Sequence, residues 1–273
     1  MGTVTGANEN QLHYEDSGGT GRPVVLVHGW PLHGQSWKDQ IGALTAAGHR
    51  AITYDRRGFG QSEPQHPYTY DALAGDLAAL IDALDLHDAV LVGFSMGGGE
   101  VARYLAKHGS DRIGSVVFAA AVTPYMLHTS DNPEGPLKKT AAAAMAAQLT
   151  ANREKFFDGF TTDFFSAGDT LCVSEAQRQE AIAMCLQANK LAALECMASF
   201  GATDFREDLE QVTVPTLVLH GDADGVVPLE GSGQRTHQAI PHSELVVIPG
   251  APHGLNVSHA DEFNAALLGF LSR

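Results

Sequence analysis

The chain has 273 residues, 44% of them apolar, and a formal net charge of −15 at pH 7. This length fits one large α/β domain or a core with an inserted subdomain, and the negative charge argues against a nucleic-acid partner, because phosphates would repel it. The N-terminus lacks the basic and apolar regions of a signal peptide, and no apolar run could span a bilayer. We therefore expect a cytoplasmic protein with no nucleic-acid or membrane partner.

The cysteines and histidines favour neither disulfides nor a metal site. Cys172, Cys185 and Cys196 are odd in number and form no C-x-x-C pair, which is typical of reduced core thiols. The 13 histidines are scattered and form no cluster with metal-ligand spacing. We expect neither a metal nor another cofactor.

Short apolar strands alternate with helical segments over the first 120 residues. The patterns predict an edge strand at 11–16 and buried strands at 24–27, 50–55, 90–92 and 115–120. They predict helices at about 37–47, 70–84 and 100–107. This alternation implies right-handed crossovers and a mostly parallel sheet covered by helices on both faces.

The pattern changes over residues 121–206, which contain no convincing strand. Helices are predicted at 137–149, 153–160 and 174–188, the last with Ser174 as N-cap. Strands at 215–220 and 244–248 and a helix at 260–271 resume the earlier pattern. We therefore predict an α/β core of residues 1–120 and 207–273, with residues 121–206 inserted as a helical cap.

Gly93-Phe94-Ser95-Met96-Gly97 follows the buried strand at 90–92 and fits G-x-S-x-G, the nucleophile elbow. A serine hydroxyl can attack only if the chain turns sharply and presents it at the sheet edge, and side chains in place of the flanking glycines would clash in such a turn. The helix that follows points its N–H groups and its positive end at the reaction centre. The alternative is a glycine-rich turn with a bystander serine.

A base and an acid follow the last two predicted strands. His253 comes directly after the final strand, and Asp224 and Asp222 follow the strand before it. His253 is the candidate base for Ser95, and Asp224 is favoured over Asp222 as the acid that orients the imidazole. Ligands of such sheets bind beyond the carboxyl ends of the strands, where Ser95, Asp224 and His253 all lie.

An attacked carbonyl becomes an oxyanion, which needs two preorganised donors. The Met96 N–H directly follows the nucleophile, and the Trp30 N–H lies in the loop after an early strand. His28 precedes this loop and is expected to brace it through hydrogen bonds rather than to react. Arg56 and Arg57 are expected to pair with acidic side chains and to fix their own turn.

The chain resembles the α/β-hydrolase superfamily over its whole length. More closely, it resembles the cofactor-free haloperoxidase (perhydrolase) and aryl-esterase group, which also holds γ-lactamases. The matching segments are His28-Gly-Trp-Pro-Leu32, Thr53-Tyr-Asp-Arg-Arg-Gly-Phe-Gly60, Gly93-Phe-Ser-Met-Gly-Gly98, Asp131-Asn-Pro-Glu-Gly135, His220-Gly-Asp-Ala-Asp224 and Gly250-Ala-Pro-His-Gly254.

The resemblance implies an eight-stranded sheet with a helical cap, the triad Ser95, Asp224 and His253, and oxyanion donors on Trp30 and Met96. It also implies an acyl-serine that hydrogen peroxide can intercept, which releases a peracid able to oxidise halide without haem or metal. A proline after the oxyanion residue, here Pro31, is associated in this group with perhydrolysis.

The expected substrates are small neutral carboxylic esters, or short acids together with hydrogen peroxide. The residues beside the motifs that could line the pocket are Trp30, Phe94, Met96, Val122, Tyr125 and Val226. Five phenylalanines between residues 156 and 165 could join them, although core packing explains most of these equally well.

Two other functions stay open at this point. An amidase acting on strained lactams would use the same triad, so that only substrate assays separate it from an esterase. A ligand-binding receptor on the same fold is disfavoured by the complete triad and oxyanion loop. The sequence leaves a homo-oligomer open.

Overall fold

The computed structural model describes all 273 residues and contains ten strands. They are β1 (Gly2–Thr5), β2 (Gln11–Asp16), β3 (Pro23–Val27), β4 (Arg50–Tyr54), β5 (Ala89–Phe94), β6 (Ile113–Ala119), β7 (Ser166–Ala167), β8 (Thr170–Leu171), β9 (Thr216–Gly221) and β10 (Glu244–Ile248).

Eleven α-helices accompany these strands. They are α1 (Lys38–Ala46), α2 (Tyr70–Ala83), α3 (Met96–His108), α4 (Lys139–Ala151), α5 (Arg153–Phe165), α6 (Glu175–Gln187), α7 (Lys190–Ala202), α8 (Arg206–Leu209), α9 (Gly233–Ala239), α10 (Leu255–Ser258) and α11 (Ala260–Leu271). Short 3-10 turns at Gly34–Trp37 and Leu229–Gly231 complete the regular structure.

Eight strands form one sheet in the order β1-β2-β4-β3-β5-β6-β9-β10. The pairs β1–β2 and β2–β4 are antiparallel and all the others are parallel. From β3 the chain passes through α1 to β4 on one side, and from β4 it passes through α2 to β5 on the other side of β3. Because both crossovers are right-handed and run in opposite directions, α1 and α2 lie on opposite faces of the sheet. This is the α/β-hydrolase fold that the sequence predicts, with a mostly parallel eight-stranded sheet covered on both faces.

The centre of the sheet is apolar on both faces. Every residue of β5 is buried, as is every residue of β9. A strand that is buried on both sides needs a continuous apolar run rather than an alternating one, which is what the segment Val90-Leu-Val92 provides. Burial of both faces therefore fixes the strand that leads into Ser95 most firmly.

The segment between β6 and β9 is mainly helical and contains α4, α5, α6 and α7. The expectation of no strand there is wrong in one detail, because β7 and β8 pair as a small antiparallel hairpin. Two-residue strands are too short to leave an alternating pattern. The boundaries of the helical cap at residues 121 and 206 stay a prediction.

Other elements also differ from the sequence-based expectation, and helices α7, α8, α9 and α10 were not predicted. The helix after Ser95 begins at Met96 rather than at Glu100. The sequence does not predict its first turn, because that turn holds three glycines, which have low helix propensity. The edge strand β1 was not predicted, since four residues give too short a pattern. The prediction that the strand at 11–16 lies at the edge of the sheet is therefore wrong, because this strand, β2, pairs with β1 on one side and with β4 on the other. No helix of the structure has both the length and the apolar character that crossing a membrane requires.

The three cysteines are free thiols. Cys185 and Cys196 are buried, and Cys172 is half-buried beside the β7–β8 hairpin. Desolvation by burial raises the pKa of Cys196 to about 12. A thiol that stays protonated is a poor nucleophile, so this residue acts as a small apolar core side chain.

The first turn of α3 packs unusually close to the end of β3. A Cβ atom added to Gly97 would lie 2.4 Å from the Val27 carbonyl oxygen and 3.0 Å from that of His28. By contrast, a Cβ atom added to Gly42 in α1 would meet no atom within 4 Å. Only the absence of a side chain at residue 97 allows α3 to approach the loop after β3.

We predict that Gly97→Ala lowers the free energy of unfolding by about 1–3 kcal/mol, because a fixed backbone oxygen must move. Gly42→Ala is the control and should raise it by about 0.5–1 kcal/mol through helix propensity. Urea unfolding of both variants and the parent provides the measurement. Equal stability of the two variants would show that the α3 contact is not tight.

Candidate active site

Ser95 occupies a strained turn between β5 and α3. Its backbone has φ 54° and ψ −119°, a left-handed region that residues other than glycine rarely adopt. The turn is held by hydrogen bonds from the Ser95 N–H to the Ala119 carbonyl at 2.9 Å and from the Val122 N–H to the Ser95 carbonyl at 3.2 Å. As a result, the Ser95 side chain lies at the carboxyl edge of the sheet, at the positive end of α3.

Ser95, His253 and Asp224 form a continuous chain of hydrogen bonds. His253 Nε2 lies 2.9 Å from Ser95 Oγ, and His253 Nδ1 lies 2.7 Å from Asp224 Oδ2. Because an ionised carboxylate only accepts hydrogen bonds, Nδ1 carries the proton and Nε2 is free to accept from the serine hydroxyl. All three residues are buried, with Ser95 6% exposed.

Asp224 is held from both sides in its buried position. Its Oδ1 accepts from the Val226 and Val227 N–H groups at 2.9 and 2.7 Å, and its Oδ2 also lies 3.3 Å from His220 Nε2. Burial by itself would raise the pKa of Asp224. The charge interaction with His253 and the hydrogen bonds from His220 and His253 outweigh burial and lower that pKa below its ordinary value.

Asp222, the competing acid, lies elsewhere. It is exposed, and its Oδ1 accepts from the Gly250 N–H at 2.6 Å. This contact ties the loop after β9 to the turn after β10. Asp222 therefore contacts the backbone that carries His253 but not its imidazole.

Two backbone donors lie beside the serine. Neither the Trp30 N–H nor the Met96 N–H donates a hydrogen bond within the protein. Trp30 is in the loop after β3, the neighbour of β5 in the sheet, and Met96 is the first residue of α3. The Trp30–Pro31 peptide bond is cis. Free N–H groups at adjacent strand ends are the arrangement that an oxyanion requires.

The Trp30 side chain joins this loop to the helices above the sheet. Its Nε1 donates to the Ala193 carbonyl in α7 at 2.9 Å. Four aromatic rings surround the indole at centroid distances of 5.3 to 6.2 Å, namely those of Phe156, Phe157, Phe160 and Phe200. Contacts of this kind hold the loop and the helices together and keep water away from the indole.

The other predicted pocket residues fall into two groups. Phe94, Met96 and Val122 are buried, and the Phe94 ring packs 5.2 Å from the His253 ring. Tyr125 and Val226 are half-buried, with the Arg206 guanidinium 5.5 Å above the Tyr125 ring. Their role as lining residues stays a prediction.

A groove of about 520 Å³ opens between α4 and α5, with Phe156 and Phe160 among its lining residues. Both rings also contact the Trp30 indole, although neither Trp30 nor a residue of the triad lines the groove. No group of three or more His, Cys, Asp or Glu side chains is placed to hold a metal ion.

Sequence reasoning missed several contacts around the triad. The Phe164 ring lies edge-on to His253 at 4.9 Å, the Tyr70 hydroxyl donates to the Met96 carbonyl at 3.0 Å, and His220 lies behind Asp224. His220 begins one of the quoted motifs, so its position was a usable signal. Phe164 was one of the five clustered phenylalanines that the sequence offered as possible lining residues, but its contact with His253 was not predicted. Tyr70 had no signal, because its contact joins residues 26 positions apart.

Comparison with known proteins agrees with this geometry. The family model for the alpha/beta hydrolase fold matches residues 22–260. A crystal structure of bromoperoxidase from Bacillus anthracis has 49% sequence identity and a TM-score of 0.97, and the alignment covers 100% of this chain and 99% of that one.

Two curated relatives extend over nearly the same length. A non-heme chloroperoxidase from Kitasatospora aureofaciens is 41% identical over 269 residues, 96% of each chain. A bifunctional esterase/perhydrolase from Acinetobacter calcoaceticus is 34% identical over 275 residues, 99% of each chain.

The chain belongs to the alpha/beta hydrolase fold family. Within it, the chain is similar to non-heme haloperoxidases and to esterases, which confirms this part of the resemblance based on the motifs. The γ-lactamase part of that resemblance stays a prediction.

We predict that Asp224→Asn lowers kcat far more than Asp222→Asn does. An amide at residue 224 would favour the wrong imidazole tautomer, which costs roughly ten-thousandfold in the serine-protease example. Loss of the Asp222 hydrogen bond should cost about two- to tenfold. Ester turnover by both variants, corrected for folded fraction by circular dichroism, checks the ranking. The reverse order would assign the acid role to Asp222.

Proposed function

We propose that this protein is a serine hydrolase that cleaves small carboxylic esters through an acyl-enzyme on Ser95. The proposal depends on one observation above all, the hydrogen-bond chain from Ser95 Oγ through His253 to Asp224. The named esterase and haloperoxidase relatives support the same reaction class.

In the proposed acylation, His253 Nε2 accepts the Ser95 proton while Oγ attacks the ester carbonyl. The carbonyl oxygen becomes an oxyanion and accepts hydrogen bonds from the Trp30 and Met96 N–H groups. Collapse of this intermediate breaks the bond to the alcohol, which leaves with the proton from His253. Asp224 stabilises the imidazolium throughout without taking its proton.

The acyl-enzyme then reacts with a second nucleophile activated by His253. Water gives the carboxylic acid, and hydrogen peroxide gives the peracid, with the proton returning to Ser95 Oγ in both cases. The perhydrolase half of the proposal is supported by the relative named as a bifunctional esterase/perhydrolase. A peracid released in this way can oxidise halide with no metal in the protein.

The surroundings of Trp30 favour a small neutral acyl group. Partly buried aromatic rings at Phe156, Phe160 and Phe200 contact its indole. Apolar rings contribute area-dependent binding but cannot compensate for desolvation of a carboxylate. We therefore propose uncharged short-chain or aryl esters as the substrate class, with Phe94, Met96, Val122, Tyr125 and Val226 as further lining residues.

We predict that Ser95→Ala abolishes turnover of p-nitrophenyl acetate, with a loss in kcat on the order of a millionfold. The protein should stay folded, because a hydroxyl is replaced by hydrogen at a site that retains its backbone. A fluorophosphonate probe should label the parent and not the variant. Retention of a tenth of the activity would remove Ser95 from the mechanism, and an unlabelled, inactive parent would favour a ligand-binding receptor.

A separate hypothesis concerns the choice between water and peroxide. We propose that the Trp30 carbonyl, next to Pro31, accepts a hydrogen bond from hydrogen peroxide at the acyl-enzyme. Proline restricts the backbone of the residue before it and has no N–H of its own to offer there. One hydrogen bond contributes about 0.5–1.5 kcal/mol, which changes a rate by roughly two- to tenfold.

We therefore predict that Pro31→Leu lowers peracid formation from acetate and peroxide by about two- to tenfold relative to p-nitrophenyl acetate hydrolysis. Both rates are measured on the same preparation, so that the folded fraction cancels in their ratio. If both rates fall by the same factor, or neither changes, the carbonyl hypothesis is wrong and Pro31 only stiffens the loop.

A further inference from the structure

Arg56 is a fully buried cation that contacts two parts of the active site at once. It follows β4, and its side chain is 0% exposed. Its Nε donates to Glu100 Oε2 in α3 at 2.7 Å, and its Nη2 donates to the His28 carbonyl at 2.7 Å. The guanidinium therefore joins the nucleophile helix to the loop that contains Trp30.

The link from Arg56 to Trp30 continues through the His28 side chain. His28 Nε2 accepts from the backbone N–H of Arg56 at 3.0 Å, so the ring proton lies on Nδ1, which donates to the Gly29 carbonyl at 2.9 Å. The Arg56 guanidinium packs against the same ring edge, with its Nη1 3.3 Å from Nδ1. Burial, together with the Arg56 charge, lowers the pKa of His28 well below its ordinary value and keeps the ring neutral.

This last hydrogen bond sets the direction of the Trp30 N–H. The Gly29 carbonyl and the Trp30 N–H belong to one planar peptide unit and point in opposite directions. A contact that holds the Gly29 oxygen therefore orients the Trp30 N–H. The Leu32 N–H also donates to the Gly29 carbonyl, at 3.0 Å, so this peptide is held twice.

The same geometry applies to the second donor. The Met96 N–H shares a peptide plane with the Ser95 carbonyl, which accepts from Gly98 and Val122 N–H groups at 3.0 and 3.2 Å. Glu100 lies one turn further along α3 and is fully buried. Its bond to Arg56 connects the helix that bears Met96 to the carbonyl immediately before the Gly29 peptide.

We propose that Arg56 is a positioning residue that sets the separation and alignment of the Trp30 and Met96 N–H groups. This inference rests on the proposed function, since it assigns those two groups to the oxyanion. Arg56 contacts neither the serine nor the triad histidine, so it acts on the reaction only through the two backbone donors. Oxyanion donors stabilise the transition state more than the bound ester, so their misalignment lowers kcat more than it raises KM.

Arg57 provides a matched control at the next position. It is also fully buried, and its Nε and Nη2 donate to Asp76 at 2.6 and 2.7 Å. Its other hydrogen bonds go to Asn8 and to backbone carbonyls at residues 65, 67 and 72. These partners lie in the N-terminal segment and around α2, so Arg57 has the charge and burial of Arg56 without its link to the site.

The test compares Arg56→Lys with Arg57→Lys. A lysine ammonium cannot reproduce the planar fork that holds Glu100 and the His28 carbonyl together. R56K should lower kcat for p-nitrophenyl acetate by about ten- to a hundredfold with KM changed less than about threefold, since small misplacements at a reaction centre cost up to about a hundredfold. R57K should keep kcat within about threefold at the same folded fraction.

A boronic acid provides a readout that lost stability alone would not change. Phenylboronic acid forms a tetrahedral adduct with the serine, and its oxygen takes the place of the oxyanion. R56K should weaken its binding by the same factor as kcat, and R57K should leave it unchanged. An undiminished kcat in R56K, or an equal loss in R57K, would overturn the proposal.

Two further variants cover other outcomes. If R56K does not fold, the double variant R56M/E100L removes the pair without leaving an isolated buried charge, and R57M/D76L is its control. The same kcat and boronic-acid criteria apply to this pair. Ser95→Ala distinguishes failure of the proposed function from failure of the positioning role. Turnover that survives in S95A refutes the proposed function. Turnover that is lost in S95A but undiminished in R56K refutes only the positioning role.

Discussion

The strained turn at Ser95 is the constraint on which the site depends. A left-handed backbone at a residue with a side chain costs about 1–3 kcal/mol and persists only where the surroundings hold it. Here the surroundings are the Ala119 carbonyl, the Val122 N–H and the first turn of α3, which packs against the end of β3 because Gly97 has no side chain. The same close approach brings the start of α3 beside the loop that bears Trp30, so one packing contact positions Ser95 together with the two N–H groups that we propose as oxyanion donors.

The parallel sheet brings the remaining groups to the same edge. The neighbouring strands β3 and β5 end at the Trp30 loop and at Ser95, and the neighbouring strands β9 and β10 end before Asp224 and His253. The intervening strand β6 separates the two pairs, and His253 bridges this distance. The helices above then cover the edge, through the bond from Trp30 to α7 and the contact of Phe164 with His253. Exclusion of water strengthens every electrostatic interaction inside.

Burial has opposite consequences for the charged groups around the site. His28 is neutral because it is desolvated and lies beside a cation, whereas Asp224 stays ionised because two histidines and two backbone N–H groups surround it. Desolvation raises the pKa of Glu100, and its ionised form is favoured by the Arg56 guanidinium at 2.7 Å. A buried pair of this kind adds little net stability, since desolvation offsets the attraction, but removal of one partner is costly. Such a pair specifies geometry better than it stabilises the fold.

The sequence by itself determined the fold class, the alternation of strands and helices along the chain and the glycine-rich turn at Ser95, because apolar periodicity and glycine spacing are local properties of a chain. It also indicated which of two neighbouring aspartates to favour and that both arginines would find acidic partners. It could not show that Arg56 joins α3 to the Trp30 loop while Arg57 holds α2, since adjacent residues point in different directions and their partners lie 44 and 19 positions away. Tertiary packing decided these pairings, the contacts of Tyr70 and Phe164, and the short β7–β8 hairpin, because each depends on segments that only the folded sheet and its helices bring together.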